Sequence, residues 1–246
     1  MTQNSISDEI IILNVKDWQT ADKWAVGFSR AHGKIAFIAY GAKYPKSTAG
    51  RLVQPFAVLN AEFYEGNRLY KLKGCTLAQV APTFKLDELA YGSLAAEATE
   101  LLTEDSDPKE EIYEQLLQLL PFLKEHNPRL VTLSYLVKLL ELTGVGPVFD
   151  RCVICGRQIE AEAAFSNEQG GMVCKDCGGE AGVNPFHQET RILWRQLLDL
   201  DFQNPQTLKV KGGSLMELER IVNSFITYQV DRPLKCLEFL AQLSGS

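Results

Sequence analysis

The sequence is poor in the residues that most hydrolytic chemistry needs. Among its 246 residues there are only three histidines, His32, His126 and His187, far apart along the chain, and neither HExxH nor GxSxG occurs. Zinc hydrolases of the paired-histidine kind and serine hydrolases built on a nucleophile elbow are therefore excluded as readings. Long apolar runs are missing too. No segment reaches the roughly 18 apolar residues of a membrane span, and the opening MTQNSISDE lacks a basic region followed by an apolar stretch. Nothing in it directs the chain out of the cytoplasm. An excess of positive charge is also absent, with a net charge of −6. What is present is 46% hydrophobic and 23% charged residues, enough for a substantial core and for more than one domain.

The negative total hides an asymmetry. Residues 1–80 carry ten Lys/Arg against six Asp/Glu, a balance of +4, which leaves 15 against 25, or −10, for the rest. A basic half suits a polyanion and an acidic half repels one, so the two halves are expected to face different partners.

Four of the six cysteines fall in one stretch, Asp150–Gly182. Cys152 and Cys155 are separated by two residues, Cys174 and Cys177 by two, and the pairs by eighteen. This lies inside the C-x2-C-x15-20-C-x2-C window of a zinc site. Each pair places two thiolates on one turn, Gly156 and Gly178–Gly179 allow tight backbone after each pair, and four thiolates fill a tetrahedral sphere. The segment reads as a zinc ribbon whose Zn2+ is structural, since a closed site has no position for substrate. Two redox-active CxxC pairs are the alternative. Cys75 and Cys236 lie outside the ribbon and read as buried thiols without a function.

The first eighty residues read as a small β domain. Ile10–Lys16 is a β-branched run; Trp24, Val26 and Phe28 alternate with Lys23, Ala25 and Gly27; Lys34–Tyr40 resumes after a turn at His32–Gly33. Further strands are expected over Val53–Glu62, with Pro55 near an edge or bulge, and Arg68–Val80, after the turn signal Glu65-Gly66-Asn67. Five short strands fit a closed barrel of the OB type, which binds single strands in a basic groove with aromatic platforms; an SH3-like barrel or an open meander fits the same pattern. Between the third and fourth strands, Gly41–Arg51 is expected to be a flexible loop. Its Lys46-Ser47 ending follows Pro45 where a P-loop requires glycine, so nucleotide binding is excluded there. Its cations Lys43, Lys46 and Arg51 suit contact with a phosphate backbone.

From Thr83 the period becomes helical. Phe84–Leu102 is rich in Ala, Leu and Glu; Asp107-Pro108 is a start signal for Lys109–Lys124, with Pro121 marking an end or kink; and the acid-rich Thr103–Glu111 reads as a solvated connection. Asn127-Pro128 opens another helix, with Leu133, Leu136, Val137 and Leu140 as its core stripe and Gly144 as its C-terminal glycine. After the ribbon, helices are expected over about His187–Leu200, over Leu215–Tyr228 behind a Ser214–Glu217 capping box, and over Pro233–Leu243. The fold class is α+β: an OB-type barrel at 1–80, then a helical domain at 81–246 with the ribbon, 150–182, inserted between helices.

This order of elements resembles the bacterial RecO family of DNA repair and recombination mediators. The likeness is carried by Ala21-Asp22-Lys23, Arg30-Ala31-His32-Gly33-Lys34, Gly41-Ala42-Lys43 through Lys46-Ser47, Gln54-Pro55-Phe56, Ala90-Tyr91, Leu139–Gly146 running into Cys152-Val153-Ile154-Cys155-Gly156, and Arg232-Pro233-Leu234-Lys235. One departure is Lys16-Asp17-Trp18-Gln19-Thr20, where the family has a Tyr-Gly-Glu type sequence. The resemblance implies a non-enzymatic protein of the RecF pathway, in the cytoplasm and associated with the nucleoid. Such a protein binds single- and double-stranded DNA, anneals complementary strands, engages RecR and single-stranded-DNA-binding protein, and assists RecA loading. With the charge division it makes Arg30, Lys34, Lys43, Lys46, Arg51, Lys71 and Lys73 the candidate DNA contacts, with Tyr40, Tyr44 or Phe37 stacking bases. Two other classes stay open: a protein-interaction scaffold that binds no nucleic acid, and a CxxC redox enzyme.

Overall fold

The computed structural model describes residues 5–66, 69–159, 163–178, 184–202 and 210–244. Five strands, β1 (Ser5–Trp18), β2 (Asp22–Ser29), β3 (Gly33–Ala39), β4 (Val58–Tyr64) and β5 (Tyr70–Gln79), close into a barrel in the order β1-β2-β3-β5-β4. Every neighbouring pair is antiparallel except β3 with β5. A short helix, α1 (Thr48–Leu52), joins β3 to β4.

The run Ile10-Ile11-Ile12-Leu13 shows why this barrel does not stand alone. A half-buried strand alternates apolar and polar residues, whereas this one is apolar at four consecutive positions because both of its faces are covered. Ile10 and Ile12 enter the barrel interior with Ile35, Phe37, Leu59 and Phe63. Ile11 and Leu13 join Val26 and Phe28 on the outer face, where they share a core with the helices. Phe37 and Phe63 meet inside at a centroid distance of 5.0 Å. Each such side chain contributes about 1.5–3 kcal/mol by leaving water.

Two expectations for the barrel need correction. Gly41–Arg51 is ordered: the Ser47 side chain accepts from Gly50 N at 3.1 Å to cap α1, and Lys23 Nζ donates to the carbonyls of Gly50 (2.9 Å) and Val53 (3.1 Å). Gly50 is required there, since a Cβ would stand 1.9 Å from the Ala42 carbonyl oxygen. The fourth strand starts at Val58 rather than Val53, because Gln54–Ala57 forms a turn, with Phe56 at φ +68° and its N–H donated to Ile12 O. Pro55 is thus a turn residue. The turn residue Asn67 and the strand start at Arg68 lie outside the described residues.

The rest is a helical body carrying a small sheet. Helices α2 (Leu86–Leu102), α3 (Glu110–Glu125) and α4 (Pro128–Leu142) lead into β6 (Ala163–Ser166), β7 (Gly171–Cys174), the one-turn α5 (Lys175–Gly178) and β8 (Asn184–Phe186). Then follow α6 (Gln188–Leu198), α7 (Gly212–Gln229) and α8 (Lys235–Ser244). Gly179–Val183, at the far end of the ribbon, lies outside the described residues.

Helix α4 is the centre of this body, buried on nearly all sides, as an all-round apolar helix must be. Its Asn127 cap accepts from Arg129 N and Leu130 N, Pro128 fills the first turn, and Gly144 follows the end at φ +78°, as expected from the sequence. Two of its buried hydroxyls are satisfied by neighbours: Tyr135 Oη lies 2.6 Å from Thr99 Oγ1 of α2, and Ser134 Oγ donates to Leu197 O of α6, whereas Thr132 Oγ1 has no partner among the described residues.

Two start signals behave differently from expectation. Lys109, not Asp107, caps α3, which runs through Pro121 to Glu125. The acid-rich connection is largely exposed, as expected, but its backbone is tied to the barrel: Ser106 N donates to Lys34 O, and Asp107 O lies where a Cβ on Gly33 would be 2.2 Å away. Ser214 and Glu217 lie inside α7, whose cap is Lys211; Glu217 instead reaches α6, accepting from Thr190 Oγ1 and lying 2.8 Å from His187 Nδ1.

Candidate metal centre and nucleic-acid interface

Two knuckles bring the four predicted cysteines together. In the first, Cys152 N donates to Arg157 O and Gly156 N donates to Cys152 O, both at 2.8 Å, a reversal that needs the positive φ of +74° at Gly156. In the second, Cys174 ends β7 and Cys177 lies one turn on in α5. Pairing of β6 with β7 and the bond from Val153 N to Met172 O (2.9 Å) hold the knuckles side by side. All four sulfurs lie within 4.8 Å of one another, and Cys155 Sγ is 3.7 Å from Cys174 Sγ. A tetrahedral ion with Zn–S bonds of about 2.3 Å has sulfur edges of about 3.8 Å.

The electrostatics of the cluster also fit a cation. Burial works against ionising Cys152, yet the backbone N–H groups of Cys174, Cys155 and Ile154 bring its thiol down to about 6. Arg157, through its backbone and its guanidinium, lowers Cys155. Cys177 is pushed up to about 12 by hydrogen bonding with Cys174 and Cys155, to whose sulfurs its thiol donates, so it keeps its proton when no cation is present. Arg157 pairs with Asp176 at 2.9 Å and so ties the outer sides of the two knuckles, a clasp not foreseen in the sequence although both residues lie directly beside the ligand pairs. Cys75 and Cys236 stay away from this cluster and are half-buried.

The predicted barrel cations divide into three groups. Lys34 is committed to the junction with the helices: its Nζ donates to Glu100 O (2.8 Å) and Thr103 O (2.5 Å) and lies 3.3 Å from Asp105. Arg30 is held there too, 2.6 Å from Glu114 and 3.2 Å from Glu110, with its guanidinium over the Tyr113 ring at 4.7 Å. Lys43 and Lys73 are exposed but paired, with Asp17 at 2.9 Å and Glu62 at 2.5 Å. Lys46, Arg51 and Lys71 are exposed and form no ion pair among the described residues.

These last three converge on one end of the barrel. Lys46 precedes α1, Arg51 lies on it, α1 packs on β5, and Lys71 follows the first residue of β5. Tyr40 and Tyr44, 55% and 66% exposed, flank the same loop. Phe37 is wholly buried inside the barrel and cannot stack on a base, which corrects its candidacy. Among the described residues no helix is long and apolar enough to cross a membrane.

Comparison with known proteins agrees with this architecture. Residues 1–81 match the family described as Recombination protein O N terminal, and residues 84–238 match Recombination protein O C terminal. The DNA repair protein RecO of Thermoanaerobacter sp. (strain X514) is 28% identical over 245 residues, covering 98% of each chain. That of Desulforamulus reducens is 27% identical over 242 residues, 97% of this chain and 94% of the relative. The Halalkalibacterium halodurans protein of the same name is 28% identical over 244 residues, 96% and 94%.

Proposed function

The chain belongs to the RecO family of DNA repair proteins, and we propose that it is a non-enzymatic recombination mediator. In this reading it binds single- and double-stranded DNA, promotes annealing of complementary strands, and assists RecA loading with RecR on DNA coated by single-stranded-DNA-binding protein, in the cytoplasm at the nucleoid. The observation that carries the reading is the group of exposed cations without an ion pair among the described residues, Lys46, Arg51 and Lys71, near the exposed Tyr40 and Tyr44 on the basic barrel of a molecule whose net charge is −6. Lys43 and Lys73 can exchange their exposed carboxylate partners for phosphates, since such surface pairs contribute little. Arg30 and Lys34 are assigned to holding barrel and helices in register. Cys152, Cys155, Cys174 and Cys177 are assigned to one Zn2+, whose role is to fold the ribbon. The domains are proposed as the barrel at 1–80 and the helical domain at 81–246 with the ribbon inserted at 150–182.

The experiment is binding to a fluorescent single-stranded oligonucleotide across a salt series, followed by annealing of its complement. Wild type is expected to bind with steeply salt-dependent affinity and to accelerate annealing. Replacing Lys43, Lys46 and Arg51 together by Ala should flatten the slope of log K against log salt by about 2, at roughly 0.7 per lost contact with single strands, with zinc content unchanged. An unchanged slope would remove this loop from the DNA surface, and no binding even at low salt would favour a scaffold that meets proteins only.

A further inference from the structure

The barrel register lines up residues that lie far apart in sequence. On the outer face, Lys16 of β1 pairs with Trp24 of β2, Trp24 with Ile38 of β3, and Ile38 with Lys71 of β5. Directly paired residues in a sheet present their side chains on the same face, so these four form one row across four strands, with Lys16 and Lys71 exposed at its ends and Ile38 (8% exposed) and the partly buried Trp24 as its floor. With strands about 4.8 Å apart the row spans about 14 Å from one lysine to the other. Lys16 Nζ sits 5.0 Å over the Trp24 ring, which fixes its ammonium on the surface without neutralising it. Neither Lys16 nor Lys71 has an ion-pair partner among the described residues.

The next row toward the hairpin tip is aromatic. Trp18 pairs with Asp22, and β3 continues to Tyr40 at the level of Asp22, whose Oδ1 accepts from Gly41 N at 2.8 Å. Asp22 is therefore spent on the backbone, and Trp18 (41% exposed) and Tyr40 (55% exposed) stand on either side of it, each one strand away. The two exposed rings lie in the row next to the one that ends in Lys16 and Lys71.

At the β1 edge the row runs onto the C-terminal segment. Lys16 lines a groove of about 320 Å³ together with Arg232 and Lys235, at the entry to α8. The groove also carries two carboxylates, Glu97, which accepts from the N–H groups of Lys235 and Cys236, and Glu100, which accepts from Asn14 Nδ2; these neutral donors fix the carboxylates in place and leave their charge, which the three cations outnumber. Arg232 and Lys235 are exposed and have no ion-pair partner among the described residues.

We propose that an unpaired nucleic-acid strand crosses the barrel along the Lys71–Ile38–Trp24–Lys16 row and continues onto Arg232 and Lys235, with its bases stacking on Trp18 and Tyr40. The proposal rests on the DNA-binding reading above and extends it in two ways. The track joins both halves of the chain, and its aromatic part selects single strands, because bases in a duplex do not expose their faces for stacking.

The test uses the zinc-loaded full-length protein and a fluorescent oligothymidylate, with a duplex of equal length beside it. Trp194 is 3% exposed in the helical core and Trp24 is partly buried under Lys16, so most of the quenching of indole emission on binding should come from Trp18. Trp18→Ala should abolish that quenching and weaken single-strand binding about tenfold or more, with duplex binding changed less than twofold; Trp18→Phe should restore most of the affinity. Lys16→Ala with Arg232→Ala should flatten the single-strand salt slope by about 1.4. Near-UV circular dichroism verifies that each variant is folded. The proposal is overturned if wild type binds the oligonucleotide but Trp18 is not quenched, if Trp18→Ala affects duplex and single strand alike, or if the double variant keeps the wild-type slope. Absence of any binding by wild type would instead overturn the underlying DNA-binding reading.

Discussion

The barrel and the ribbon reach their structures by opposite routes. The barrel is stabilised by area: two cores meet at its wall, one inside around Phe37 and Phe63 and one outside, where Ile11, Val26 and Phe28 pack into the helical body. The ribbon has four-residue strands and a one-turn helix, too short for independent stability, and its geometry centres on four sulfurs within 4.8 Å. The ribbon adds a local sulfur cluster to burial, since Phe165, Met172 and Val173 belong to the helical core and Phe165 meets Phe225 of α7 at 5.7 Å, whereas the barrel depends on burial alone. Loss of the Zn2+ proposed for the four cysteines is expected to unfold the ribbon first, whereas the barrel should fail together with the helices.

Metal removal is expected to have the largest effect. Structural zinc in small domains is worth about 10–16 kcal/mol of apparent folding energy. A strong chelator, or Cys155→Ser, should reduce zinc from one per chain to none and abolish amide protection over the described ribbon residues, with protection in β1–β5 retained. Measuring zinc by mass spectrometry beside hydrogen exchange checks both halves of this statement; collapse of barrel protection would break the comparison.

Phe28→Ala comes next. A wholly buried phenylalanine lost from a packed core costs about 3–5 kcal/mol, and Phe28 belongs to the core shared with the helices. Calorimetry should show one transition moved to lower temperature. If a barrel transition separates while the helices melt as before, the shared core is not a cooperative unit.

The smallest effect concerns the exit from the ribbon. His187, at the start of α6, has its pKa raised by its hydrogen bond to Glu217 of α7. Its folded-state value lies above the unfolded value of about 6.5, so its contribution is fully present below pH 6.5 and is lost as pH rises through the folded value. His187 is exposed, so the effect on melting temperature between pH 6 and pH 8 should be small, and His187→Gln should remove it.

How much of this was legible beforehand follows the same division. The cysteine pairs, the Asn127-Pro128 start and the Gly144 stop are local chemistry, and they lie where the sequence puts them. Signals with two readings went astray: Asp107-Pro108 and Ser214–Glu217 look like helix starts, yet their side chains or backbone serve neighbours from other elements. Phe37 was placed on a DNA platform because its alternation was visible but the direction of the face was not.

The sequence by itself determined the four-cysteine centre, the change from strand to helical period near residue 83 and the basic balance of the first eighty residues, because each depends on spacing or composition within one segment. Only the tertiary structure decided which cations are free. Arg30 meets Glu110 eighty positions away and Lys34 meets Asp105 seventy-one away, while Lys16, Trp24, Ile38 and Lys71 come into one row only after the barrel closes. Charges are neutralised by whatever lies within a few ångströms in space, and the register of a closed sheet, which no single strand specifies, determines what that is.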